Sequence, residues 1–407
     1  MISSNYWIKN SGVLIDSENS LFNGGVSAGF DLRANKWNFI YNEITGYMIS
    51  TNVLLYKSTN DNIYLDNAIK SSEYLISNQY TTKGNFESGA FPKGYSFDDS
   101  KIINVAYSFV VAMIVQGLLD LYDITKSEKL LNSAILGADW LIKMQDSSGF
   151  FYAKYDIKLK EKRDFGPFFY NDAGCLHAKH AIALLKLYNI TGNIEYRNSA
   201  KLVCDWVIDL QDTDGSFWVN LTKSHVYAHA HSYALEGLLF AYNHFNDDNY
   251  LKAIKKGCEW AASILNKRSY SILGTNKVIN WFRPIETSST NKFINVYRSV
   301  FPRKEIAVDA TIQISRIFYF YYILTGDEKY IPYANNILNI FVPKAIITNK
   351  SVEVNGALTS RIIVYLNYFR KSSIFATWPT QFYIGAENIY KKIKSGSYSK
   401  DLINDLF

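Results

Sequence analysis

"LYDITKSEKLLNSAILGADWLIKMQDSSGFF" (residues 121–151) and "LYNITGNIEYRNSAKLVCDWVIDLQDTDGSF" (187–217) are two copies of one pattern. A third copy, "LYKSTNDNIYLDNAIKSSEYLISNQYTTKGNF", starts at Leu55. Tyr56, Tyr122 and Tyr188 stand 66 residues apart, and Tyr74, Trp140 and Trp206 keep that spacing, as do Gln79, Gln145 and Gln211. Three anchors held through three copies mark a repeat architecture. A fourth copy, "FNDDNYLKAIKKGCEWAASIL" (245–265), carries Trp260 at a shorter interval, and a half-copy, "YYILTGDEKYIPYANNILNIF", begins at Tyr321.

Each copy reads in the same order. An apolar helix ends in a Leu-Tyr-like pair, and a short Thr/Gly/Asp turn supplies a helix stop and the next N-cap. An amphipathic helix follows, its apolar positions three and four residues apart, and it stops at "QDxDGxF", where Asp and Gly make a tight turn. A long polar crossover leads to the next copy. The first helix of each pair is apolar nearly all round and belongs inside; the second is one-sided and belongs outside. Trp140 and Trp206 are expected to pack outer helix on inner helix at equivalent places.

The pattern predicts inner helices over about 43–57, 101–123, 171–189, 230–245, 307–325 and 374–393, with outer partners over about 61–79, 127–145, 194–211, 249–266 and 328–342. Six inner helices ringed by outer ones form a closed all-α (α/α)6 toroid, since an open solenoid needs capping ends. The hairpins occupy about 43–395, and the segment 1–42 is placed to close the gap left by the incomplete last hairpin. No Pro/Ser-rich linker divides the chain, so 1–407 is expected to be one domain.

Composition narrows the function classes. The 407 residues are 48% hydrophobic and 20% charged, which is globular and not disordered. The net charge of +6 is spread along the chain, and no basic block marks a nucleic-acid partner. Aromatic residues make up 16%, an excess that suits a large interior and also a cleft that stacks flat rings on sugars or other planar ligands. Cys175, Cys204 and Cys258 form no C-x-x-C pair and lie in apolar helical surroundings, as buried free thiols in a reducing compartment do. The N-terminus lacks a basic stretch followed by an apolar core, and with the thiols this points to the cytoplasm. The most apolar run, from Val105, carries Ser108, Gln116 and Asp120 and reads as a buried helix, not a membrane span.

The repeated "A…dWLixxQdxdGxF" hairpins resemble the (α/α)6 toroids of the six-hairpin glycosidase superfamily and its relatives, the sugar epimerases and polysaccharide lyases. The resemblance covers about 40–395. More narrowly, "YNEITGY" (41–47), "AHSYALEGLL" (230–239) and "VDATIQISRI" (308–317) resemble blocks of a polysaccharide-associated toroid family with no assigned catalytic residue. The resemblance implies a carbohydrate substrate and a funnel lined by the N-terminal ends of the inner helices and by the crossover loops.

Chemistry-bearing groups cluster at those helix starts: Glu43 and Tyr47 in the first; His177 and His180 in the third; His229, His231, Tyr233 and Glu236 in the fourth; Asp309, Gln313 and Arg316 in the fifth. Asp98 and Asp99 precede the second, with Asn104 and Tyr107 inside it. Acidic first turns serve equally as caps, but capping needs no His, Tyr or Arg. Zinc wants three ligands, and no H-E-x-x-H motif, Cys cluster or acidic calcium loop is present, so neither metal nor other cofactor is expected. His231 or His229 is expected to face the funnel, and a buried Glu236 needs an arginine such as Arg316 or Arg283. Trp281 and Trp378 are candidates to stack a sugar, with Arg283 in the "NWFRPIET" loop (280–287).

Cleavage of a glycosidic bond needs two carboxyl groups, drawn from Glu43, Asp98, Asp99, Asp172, Glu236 and Asp309. Epimerisation needs a proton-abstracting base beside a carbonyl. Cleavage of an oligo- or polysaccharide, anionic by the basic balance, is the first expectation and uronate epimerisation the second. A non-catalytic glycan-binding or assembly protein is the third. Isoprenoid cyclisation lacks its Asp-rich motifs. Glu43, His231 and Asp309 are expected to share one cavity.

Overall fold

The computed structural model describes residues 4–19, 21–164, 169–265, 272–273, 304–365 and 368–405. The helices are α1 Ser4–Asn10, α2 Asn42–Thr59, α3 Asn62–Ser77, α4 Ser108–Thr125, α5 Glu128–Met144, α6 His180–Thr191, α7 Ile194–Ile208, α8 Ala228–Phe245, α9 Asp248–Ile264, α10 Val308–Thr325, α11 Ile331–Asn336, α12 Val342–Ala345 and α13 Trp378–Lys394. The inner ring runs α2, α4, α6, α8, α10, α13 and returns to α2, each helix packed on the next. At the seam Gln381 Nε2 donates to the Ile44 carbonyl at 3.2 Å. The chain is an (α/α)6 toroid, as its repeat implies.

The turns between paired helices follow the expected chemistry with one variation. A residue in the left-handed region ends each of these inner helices and donates its N–H to a tyrosine carbonyl one turn back. Glycine fills that place at Gly192 and Gly326, but Asn60, Lys126 and Asn246 fill it elsewhere. Asp61, Asn193 and Asp247 then cap the following outer helix, their side chains accepting from the N–H two residues on.

The repeated glutamine has a structural purpose that spacing alone did not disclose. Gln145 Nε2 donates to Gly149 O in its own turn and to Ser199 O on the next outer helix, both at 3.0 Å, while Ser199 Oγ donates back to its Oε1 at 2.6 Å. Gln79 repeats these bonds with Gly89 and Ser133. Gln211 keeps the first two with Gly215 and Ala253; Ala253 has no hydroxyl to return. One amide therefore ties each of the first three hairpins to the next.

The repeated tryptophans are not equivalent. Trp140 is fully buried, whereas Trp206 is half-buried, tilted against Phe150 at 5.9 Å. Trp140→Ala is expected to cost about 3–5 kcal/mol and Trp206→Ala clearly less, read as a shift in the urea midpoint. Equal shifts would return the two positions to one packing role.

Two expected helix starts are strands. Lys101–Ile103 and Val105–Tyr107 precede α4, and Ile374–Ala376 precedes α13. Their Ile, Val, Phe and Tyr side chains suit pleated pairing. Small antiparallel sheets, such as Ile40–Tyr41 with Gly94–Ser96 and Lys101–Ile103, thus form a rim at the N-terminal end of the inner ring. In the N-terminal segment, Gly29–Asp31 pairs with Ile374–Ala376, and Ser4 and Trp7 donate to the carbonyls of Gly356 and Glu353. Among the described residues one helix, α4, is long and apolar enough to cross a membrane, and 72% of it is buried in the ring. Its close approach to α2 depends on Gly46 and Gly117: a Cβ on Gly117 would lie 2.4 Å from the Gly46 carbonyl.

Candidate active site

Every inner helix is separated from the next by an antiparallel outer partner, so all six point the same way. At that end of the axis, the starts of α2, α4, α8 and α13 surround a cavity of about 30 Å³, room for two or so waters. Its wall holds Tyr41, Glu43 and Ile44 from the start of α2, Phe109 from α4, and His229 and Tyr233 from α8. Trp378 from α13, with Tyr170 and Leu176 from the crossover before α6, completes it.

Glu43 is half-buried. Its edge reaches the cavity, but packed atoms keep water from most of the carboxyl. Burial pushes its pKa up to about 7, against the hydroxyl of Tyr41, which donates to it, and the positive charges of Lys179 and Lys93. The N-cap of α2 is Tyr41, whose side chain makes no cap bond, and Glu43 lies in the first turn. His229 is held below the ordinary histidine value by burial, opposed by Asp309 and by a hydrogen bond with Gln313. Asp309 Oδ2 lies 3.8 Å from His229 Nδ1 and accepts from Trp378 Nε1 at 3.0 Å. Asp309 does not itself line the cavity, although its side chain is as exposed as that of His229.

A second polar layer lies deeper on the axis. Lys179 and Glu236 are fully buried and paired at 2.8 Å. Arg316 approaches the other Glu236 oxygen at 3.4 Å, the arginine expected from the sequence. Lys179 also donates to Tyr47 Oη at 3.3 Å and sits over the rings of Tyr47 and Tyr233 at 4.7 and 4.6 Å. Burial lowers Lys179 to about 8, with Glu236 opposing. Gly237 makes the pair possible. A Cβ there would lie 2.2 Å from the Ala178 carbonyl, so only glycine lets α8 press against the backbone that carries Lys179. Tyr233 and Tyr47 are hydrogen-bonded to each other, and burial raises both hydroxyls far above neutrality.

Other sequence-selected residues lie elsewhere. His231 is turned away from the axis: Nδ1 accepts from Phe217 N at 3.3 Å, Nε2 meets Gly257 O at 3.2 Å, and the ring packs 4.3 Å from Trp260. With both nitrogens on backbone and burial pushing it down to about 3, it joins α8 to α9 and does not share the cavity. His177, also pushed to about 3 by burial, packs edge-on to His180, which stacks on Phe151; neither lines the cavity. Asp98 and Asp99 lie on an exposed rim turn, paired with Lys36 and Lys101. Tyr107 directly precedes α4 and meets Asn171 Oδ1 at 3.2 Å. Asp172 pairs with Asn220. Trp281 and Arg283 lie outside the described residues. Among the described residues no three His, Cys, Asp or Glu side chains converge as metal ligands.

No family model matches the sequence, and no curated protein matches it. Solved structures do. A sugar epimerase from a ruminal bacterium aligns with 96% of this chain and 95% of its own at 14% identity, TM-score 0.70. A D-mannose isomerase aligns over 96% of both chains at 14% identity, TM-score 0.69. A GH76 α-mannanase from Bacteroides thetaiotaomicron aligns over 97% of this chain and 98% of its own at 15% identity, TM-score 0.64. The chain thus shares the (α/α)6 toroid fold of these solved structures.

Proposed function

We propose that this protein is a carbohydrate-active enzyme that moves a proton on a sugar, an epimerase or isomerase working at the axial cavity. The observation that supports this reading is which groups reach the wall. Glu43 and His229 do; the second carboxyl, Asp309, is not on that wall and accepts from Trp378 Nε1. Glycosidic cleavage needs two carboxyls flanking the bond, whereas proton transfer beside a carbonyl needs one base and one acid. His229, kept neutral by burial and oriented by Gln313 and Asp309, is the base. Glu43, with a pKa near 7, is the acid that returns a proton or protonates the carbonyl oxygen. A cavity of about 30 Å³ suits the reacting end of an open-chain sugar better than a bond between two rings. The epimerase and isomerase among the solved structures with this fold support the same choice; the mannanase keeps hydrolysis as the second reading.

Solvent exchange separates them. In D2O, D-mannose, D-glucose, cellobiose and D-glucuronate are offered to the enzyme and followed by NMR. The expected result is deuterium entering C2 of one of them, lost in His229→Asn. New reducing ends with no C–D signal would replace this reading with hydrolysis, and no change in any saccharide would favour a binding role.

A further inference from the structure

Lys93 is the cation at the mouth that the reaction does not use. Its backbone is fixed on both sides: Lys93 N donates to Ile103 O, and Asn42 N, one residue before Glu43, donates to Lys93 O at 3.0 Å. Its ammonium stands within 5.5–5.7 Å of four ring centroids, those of Phe39, Tyr41, Tyr107 and Tyr170. Tyr41 and Tyr170 line the axial cavity. Lys93 and Phe39 line a second space, an open groove of about 820 Å³ on the rim. The lysine therefore sits between the two.

Its charge is not taken up by an ion pair. In the same groove Lys36 and Lys101 each have an aspartate partner, but no carboxylate lies within ion-pair distance of Lys93 among the described residues. Burial lowers its pKa, against the attraction of Glu43, and a second lysine, Lys154, lies near enough to repel it. Ring faces attract an ammonium but leave its N–H bonds without an oxygen acceptor. A cation held this way gains most from an anion that supplies charge-assisted hydrogen bonds. Four lysines against two aspartates along the groove favour the same sign of ligand.

We infer that Lys93 receives the carboxylate of an acidic sugar, so that the substrate is a uronic acid, or a saccharide carrying one, with its acid group at the rim and its reacting end in the cavity. This rests on the carbohydrate reading above and specifies it. The aromatic ring set then has two roles: it holds the lysine stem rigid, and it offers flat faces to the sugar.

The test is calorimetric titration of D-glucuronate and D-glucose into the full-length protein, Lys93→Met and Lys93→Arg. Methionine keeps the unbranched stem among the rings, and arginine keeps the charge. The wild type is expected to bind glucuronate at least tenfold more tightly than glucose. Lys93→Met loses that preference with glucose affinity unchanged, and Lys93→Arg retains most of it. Equal affinities in the wild type, or a preference that survives in Lys93→Met, overturn the inference while leaving the sugar reading intact. Binding of neither sugar overturns the sugar reading, and this inference falls with it.

Discussion

Glu43→Gln lowers turnover by about 10²–10⁴-fold, the usual contribution of a positioned acid or base, and leaves the fold intact. Glutamine keeps the shape and can still accept from Tyr41, but it has no proton to give. The pH profile identifies the cause. Glu43 acts as acid only while protonated, so wild-type kcat/KM falls as pH rises through about 7. His229 acts as base only while neutral, so the acid limb lies below the ordinary histidine range. The residual activity of Glu43→Gln loses the upper limb and keeps the lower. Stability supplies an independent sign. The folded pKa of Glu43 is raised, so its contribution is fully present below the ordinary value of 4.5 and is lost as pH rises through about 7. Glu43→Gln should therefore melt at the wild-type temperature or lower near pH 4 and above it at pH 8. A variant with undiminished turnover and a melting temperature lowered throughout would make Glu43 a structural residue.

The ring was legible in the sequence because packing at the outer helices repeats with one period, and each copy must make the same contacts with its neighbour. The amide of Gln145 illustrates the limit of that reading: its spacing was visible, its partners 4 and 54 residues away were not. The site was partly legible for a related reason. Glu43, His229, Tyr233 and Trp378 converge because inner helices are parallel, a consequence of topology alone. The choice between His229 and His231 was also decidable. Residues two apart on a helix face nearly opposite ways, and His229 shares a face with Tyr233 and Glu236 at i+4 and i+7, while His231 shares one with Leu235 and Leu238. Lys179 and Lys93 were missed. Lys179 lies in a 3-10 turn, Cys175–Lys179, between two histidines that drew attention from it. Its only signal was a lone charge in the apolar run "CLHAKHAIALL". Lys93 acquires its meaning from four rings on separate segments, which no local pattern reports.

Glu236→Gln is expected to destabilise the protein by roughly 3–5 kcal/mol, the range for breaking a buried ion pair by removing one partner. That is a large share of the ~5–15 kcal/mol that holds a typical domain folded. The carboxylate serves two cations, Lys179 at 2.8 Å and Arg316 at 3.4 Å. Without it two buried positive charges remain, with Tyr47 Oη and ring faces beside Lys179 and the more distant Glu43 acting on it. The pH dependence follows from the lysine. Its folded pKa, about 8, lies below the ordinary 10.5, so its contribution to stability is present above 10.5 and is lost as pH falls through 8. Glu236 opposes that loss by favouring the charged form, and the variant has no such opposition. The gap between wild type and variant is therefore widest below pH 8 and narrows as Lys179 gives up its proton. Lys179→Met combined with Glu236→Gln removes one stranded cation and should recover part of the loss at pH 6. Urea unfolding at pH 6 and pH 9 reads all three proteins. A midpoint for Glu236→Gln that matches wild type at both values would mean that the axial ion pair does not hold the ring together.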